Sequence, residues 1–180
     1  MAQYLSCAET AKLVRAALKE SFPGVKFSVR SSVYAGGASI NVSYVNGPSS
    51  DQVKAVVGVF EGSYFDGMTD YKGSNYGSLD GVEVSFGADF IFVNRSFTVA
   101  FLEGAVEAAA KYYGFDKPKV VEGYSGAYVE RGLAFDDERL VMQKVSEISL
   151  VDPQPSKTLA RAAFLGDDGY GYGAVGRIAA

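Results

Sequence analysis

Histidine is absent from all 180 residues, and cysteine occurs once, at Cys7. The first absence excludes Ser-His-Asp and Cys-His nucleophile systems within the chain. It also removes zinc sites built on imidazole, and one cysteine cannot make a thiolate site. A single cysteine rules out an internal disulfide and points to a reducing compartment. Oxygen-ligand sites for magnesium or calcium stay open, because they need only carboxylates and carbonyls. No apolar run approaches the ~18 residues that a transmembrane helix needs. The start, MAQYLSCAETAK, shows no basic segment followed by an apolar stretch, so no secretory signal is read there. The expectation is a cytoplasmic protein with no membrane association, no catalytic residues, no metal and no cofactor. A basic surplus is lacking too: 17 Lys and Arg against 21 Asp and Glu leave a net charge of −4. That argues against a general nucleic-acid coat while leaving room for a local basic stripe. It is also too modest for DNA mimicry, which needs dense like-charge runs.

What is present reads as a globular chain of one-domain length. Ser6-Cys7-Ala8-Glu9 has the capping-box pattern. The helix behind it sets Ala11, Val14, Ala17, Leu18 and Phe22 on one face and stops at Pro23-Gly24. Two alternating runs follow. Phe27, Val29 and Ser31 oppose Lys26, Ser28 and Arg30, and then Ile40, Val42 and Tyr44 oppose Ser39, Asn41 and Ser43. With Gly36-Gly37 between them, they predict a hairpin with one apolar and one polar face. Asn46-Gly47-Pro48 turns the chain, and Ser49 or Ser50 caps a helix through about Phe60, cored by Val53, Val56, Val57 and Phe60.

Residues 62–81 read as a long loop, with a strand at Met68 to Lys72 as one reading of its middle. Val82 to Phe86 and Asp89 to Asn94 read as strands, and Ser96 as the cap of a helix from Phe97 to Tyr113. Lys119 to Glu122 and Ala127 to Glu130 fit short strands. Residues 136–148 favour a helix with a strand as the alternative, and Ser156 caps a short helix through Phe164. The elements run α-β-β-α-β-β-α, followed by a mixed C-terminal segment. The simplest fold class is α+β, an antiparallel sheet with helices packed on one face. Residues 1–150 are expected to form a single α+β domain. Residues 151–180 are expected to form a C-terminal extension with a short helix and a mobile Gly/Tyr-rich tail.

Several groups of residues invite a functional reading, each beside a plainer one. On the polar hairpin face, Lys26, Arg30 and Asn41, with Arg95 further on, are candidates for gripping phosphate or an acidic surface. The plainer reading is a solvated face, which antiparallel sheets normally keep. The Tyr34–Ala38 loop exposes amides that can form an anion nest, or it is simply a glycine turn. In Phe65 to Lys72, Asp66 and Asp70 can share a cation or present acceptors to a partner, or make turns while Phe65 and Met68 pin the loop. Tyr34, Tyr64, Phe65, Asp66, Asp70 and Tyr71 are the candidate partner-binding residues. Asp136-Asp137-Glu138 suits a helix start, and neither it nor Asp167-Asp168 has the ligand spacing of a calcium loop. Cys7 sits in a first helical turn, where a thiol pKa can fall. Tyr170 and Tyr172 can anchor a partner or belong to a disordered tail.

The run TAKLVRAALKESFPGVKFSVRSSVYAGGASINVSYVNGPSSDQV, with FEGSYFDGMTDYK, resembles the Large polyvalent protein-associated domain family numbered twenty-nine in its series. Thr10 to Lys72 carries most of the likeness, and GADFIFVNRSFT looks like its continuation. KFSVRS with Arg30, Gly36-Gly37, Asn46-Gly47-Pro48 and Phe65-Asp66-Gly67-Met68 are its most diagnostic pieces. The resemblance implies a setting in phages and conjugative elements, and it transfers no activity to particular residues. The resulting expectation is a non-enzymatic accessory protein in the cytoplasm of a bacterial host. It would bind and block a host defence protein or ribonucleoprotein complex, in the manner of an anti-CRISPR or anti-restriction protein. The alternative is a nucleic-acid-binding module that uses the polar hairpin face.

Overall fold

A short strand, β1 (Gln3–Ser6), leads directly into α1 (Cys7–Ser21) through the capping box read from the sequence. The Ser6 hydroxyl accepts from the Glu9 amide, and the Glu9 carboxylate accepts from the Ser6 amide. Ala11, Val14, Ala17 and Leu18 are fully buried, as their helical spacing requires. The structure is a computed structural model that describes residues 2–114, 116–130 and 135–170. The side chains of Asp136, Asp137 and Glu138, and the whole of Tyr172, lie outside the described residues.

The predicted hairpin forms as β2 (Ser28–Tyr34) and β3 (Gly37–Val45), with Arg30 directly opposite Asn41. Gly36 turns it at φ +86°, a backbone region glycine reaches without a Cβ penalty. A second capping box, Ser49 with Gln52, starts α2 (Ser50–Val57), and a single 3-10 turn carries the chain on to Phe60.

The region read as a loop is sheet. Strand β4 (Ser63–Asp66) pairs antiparallel with the first half of β5 (Tyr71–Leu79). Residues 67–70 make the turn, so the strand expected at Met68 to Lys72 begins only at Tyr71. Asp80-Gly81, both at positive φ, folds β5 back onto β6 (Val82–Gly87), the backbone twist a two-residue hairpin prefers.

Strand β7 (Phe90–Ser96) then runs parallel to β3, and β1 runs parallel to β6. The sheets are therefore mixed, and the expected purely antiparallel sheet is corrected. The reason is that β3 and β7 are joined through α2 and the β4–β6 ribbon rather than by a hairpin. One sheet has the order β1-β6-β5-β10, with β4 also on β5, and a second is β2-β3-β7.

Helix α3 (Val99–Tyr113) is capped by Thr98 instead of Ser96, whose hydroxyl is committed to the Tyr44 carbonyl. The last third resolves into β8 (Val120–Gly123), β9 (Gly126–Val129) and α4 (Phe135–Glu147), so the helix reading of that segment holds. The helix expected through Phe164 is only α5 (Lys157–Ala160). From Ala162 the chain becomes β10 (Ala162–Asp167) and pairs antiparallel with β5. Local capping starts that helix, but the open edge of β5 takes its sequel.

Two apolar clusters result. The larger lies between α1, α2 and the inward faces of β2, β3, β6 and β7. The smaller lies under α3, the β8–β9 hairpin and α4, around Leu102, Val106, Val141 and Val145. Phe60 is fully buried in the first, edge-on to Phe86 at 5.5 Å between ring centroids. Phe60→Ala is expected to cost about 3–5 kcal/mol in urea unfolding, through lost burial and the cavity left behind. A loss below 1 kcal/mol would show that Phe60 does not centre that core.

Candidate binding face

The β2-β3-β7 sheet has one covered and one open face. Val29, Ile40, Val42, Tyr44 and Ile91 point into the core. Register places the alternate residues on the other side. Ser28, Arg30 and Ser32 stand across from Ser43, Asn41 and Ser39, and these pair in turn with Asn94, Phe92 and Phe90. Ser28, Arg30, Asn41, Ser43 and Asn94 line one shallow hollow of about 610 Å³. Phe92 is half exposed, and its ring centroid lies 6.3 Å from that of Phe90. None of the three strands contains Asp or Glu, although acidic residues outnumber basic ones in the chain.

Asp89 fixes one end of this face. Its carboxylate accepts from the Ala38 amide at 2.9 Å, the Ser63 hydroxyl at 3.0 Å and the Lys72 ammonium at 2.9 Å. Burial pushes the carboxyl up, but the bonds from Lys72, Ala38 and Ser63 outweigh it and leave it below its ordinary value. Lys72 also lies 5.9 Å from the Phe90 ring centroid.

The structure sorts the sequence-predicted residues. Arg30 and Asn41 come together on the open face, and Lys26 is exposed just ahead of β2. Arg95 lies elsewhere. Its guanidinium donates to the carbonyls of Asn46 at 2.8 Å, Gly47 at 3.2 Å and Ser146 at 3.5 Å. It also covers Phe97 and Phe101, whose rings are stacked 5.4 Å apart. Burial draws its pKa down. Tyr34 is half exposed at the β2–β3 turn, and Phe65 is exposed on β4. Asp66 is buried and accepts from the Met68 amide at 2.9 Å, an Asx turn, while Asp70 takes φ +51° in the same turn.

Tyr64 and Tyr71 meet at a carboxylate, Asp168, that the sequence reading weighed only against a calcium loop. Asp168 accepts from the Tyr64 hydroxyl at 2.6 Å, the Tyr71 hydroxyl at 3.0 Å and the Ser74 amide at 2.8 Å. Tyr170 adds a third ring, 6.3 Å from Tyr71. Cys7 is buried, and desolvation raises its thiol pKa, the opposite of activation at a helix start. Reasoning from sequence also missed that Phe92 is exposed and Phe90 only half-buried. Their alternation about buried Ile91 was the available signal, obscured because Phe-Ile-Phe-Val reads as a fully buried strand.

A family model described as Large polyvalent protein associated domain 29 matches residues 5–98, which is over half of the chain and agrees with the resemblance. Those residues run from the second half of β1 through β7 and so include the whole of the open face. No curated protein and no solved structure matches the chain.

The Asp168 cluster makes a pH-dependent prediction. Donation from Tyr64, then from the Ser74 amide and Tyr71, draws the carboxyl from 3.8 to about 2. A carboxyl held lower in the folded than in the unfolded chain stabilises the fold above its unfolded value and loses that contribution as pH falls through the folded value. The tyrosine near-ultraviolet dichroism is therefore expected to change as pH falls from about 4 to about 2. Asp168→Asn is expected to show the altered signal already at neutral pH. Superimposable profiles would contradict the cluster.

Proposed function

The chain belongs to the Large polyvalent protein associated domain 29 family, which sets it in the context of mobile elements, and from that premise we propose a non-enzymatic accessory protein. It acts by binding and blocking a component of host defence, in the manner of an anti-CRISPR or anti-restriction protein. The observation that carries this reading is the open β2-β3-β7 face. An acidic chain keeps the strands of one sheet surface free of carboxylates and equips it with an arginine, small polar side chains and an aromatic pair, exposed Phe92 and half-buried Phe90. Such a surface suits an acidic partner, because complementary charge raises encounter rates and aromatic anchors supply contact area. The histidine-free composition and the buried Cys7 thiol fit a role by occlusion. Phe65 and Met68, both exposed on the β4–β5 hairpin, and Tyr34 extend the apolar surface around one end of the sheet.

A second reading draws on the same face. Arg30 faces Asn41 across the strands, with Ser28, Ser43 and Asn94 around them. Cations among small hydrogen-bonding side chains are how proteins hold a nucleic-acid backbone.

The first reading is tested in bacteria that carry an RNA-guided interference or a restriction system, challenged with a targeted phage. Expression of this chain is expected to raise plating efficiency by more than an order of magnitude against at least one system. Unchanged plating against every system would contradict it.

A further inference from the structure

We propose that the open face of the β2-β3-β7 sheet binds single-stranded nucleic acid, with bases stacked on Phe90 and Phe92 and the backbone held by Arg30 and Lys26. This rests on the nucleic-acid reading of the face and narrows it to a strand type and to named stacking residues. The two phenylalanines are two residues apart on one strand, so both rings rise on the same side of the sheet. Phe92 leaves 51% of its surface in solvent, while Ile91 between them fills the core side. The interior has no use for Phe92, and a phenyl ring in the middle of an open sheet exposes apolar area that an occupant would cover. Aromatic rings presented in this way are the platforms on which RNA-binding sheets stack unpaired bases.

The charge pattern agrees. No carboxylate belongs to β2, β3 or β7. Two carboxylates at the Phe90 end are engaged: Glu61 accepts from the Ile91 amide at 2.7 Å, and Asp89 is held by Lys72, Ala38 and Ser63, while Glu122 lines a hollow with Val45 and Ser96 at the opposite end. A phosphate held beside Phe92 therefore meets Arg30 on a stretch of sheet whose own strands carry no acid. Asn41, in register with both Arg30 and Phe92, stands between the cation and the ring. Together with Ser43 and Asn94 it offers donors and acceptors for base edges. A duplex fits poorly: its bases are already stacked, and a broad three-stranded sheet does not enter the major groove as a helix or a two-stranded ribbon does. Two cations also supply too little charge to hold a duplex through phosphates alone.

The test is fluorescence anisotropy of the whole chain with labelled oligothymidine, oligouridine and a DNA hairpin duplex of matched length, at low salt. Single strands are expected to bind more tightly than the duplex, and preference between the thymidine and uridine probes identifies the sugar. Two phosphate contacts give an expected slope of log K against log salt of about −1.4. Phe92→Ala, a half-exposed position whose fold is checked by circular dichroism, is expected to weaken binding roughly fivefold to a hundredfold, the loss of one stacked base. Tyr124→Ala, an exposed ring in the β8–β9 turn and outside the three strands, is expected to change nothing. Duplex binding equal to single-strand binding, with Phe92→Ala neutral, would overturn the inference and leave the nucleic-acid reading standing. No binding to any probe at low salt would overturn both.

Discussion

The fold turns on the Asp89 carboxylate. Three donors from three strands converge on it: the Ala38 amide of β3, the Ser63 hydroxyl of β4 and the Lys72 ammonium of β5. Its backbone repeats the pattern, donating to the Ala38 carbonyl and accepting from the Ser63 amide. The two larger sheets are thereby joined at the residue just before β7. Hydrogen bonds to a charged group contribute about 1.5–3 kcal/mol where water is excluded and less at exposed Lys72, and removing the acceptor would strand the buried Ser63 hydroxyl. Even the hairpin glycine answers to it: a Cβ on Gly37 would collide with the Asp89 carboxylate. The knot sets β7 beside β3, and that placement lifts Phe90 and Phe92 onto the open face.

Arg95 has a comparable role between the two apolar clusters. It emerges from β7, donates to the Asn46 and Gly47 turn, reaches the end of α4 at Ser146, and lies over the Phe97 and Phe101 pair. A guanidinium is suited to this, since its flat fork serves several carbonyls while its face covers aromatic rings. Of the cations first considered for binding, Arg95 holds the molecule together, and Arg30 and Lys26 stay exposed.

Local chemistry was legible in the sequence. Ser6 with Glu9 and Ser49 or Ser50 marked two helix starts, and the Val29 and Ile40-Val42-Tyr44 alternation placed the hairpin and its buried face. Strand β5 was not legible for a physical reason. Its inward positions include Gly73 and Gly77, where a Cβ would run into the rings of Tyr64 and Phe86. The apolar groups that fill those positions are supplied by neighbouring strands, so β5 itself carries no hydrophobic period. Asp80-Gly81 was the one usable sign of its return. The parallel pairing of β3 with β7, and the contacts of Asp168 with Tyr64 and Tyr71, join residues far apart in sequence that no local pattern links. The half of the site that was read, Arg30 with Asn41, came from alternation. The half that was missed, Phe90 and Phe92, was hidden in an apolar run whose two faces differ only once β7 is placed.

The central claim is that this molecule works through a sheet face kept free of negative charge. Asn41→Asp tests it most directly, because it puts one carboxylate at the centre of that face, opposite Arg30, without touching the core. The variant is expected to keep the wild-type circular dichroism and melting temperature and to lose the gain in phage plating. A folded Asn41→Asp protein that still protects phage as well as the wild type would contradict the claim.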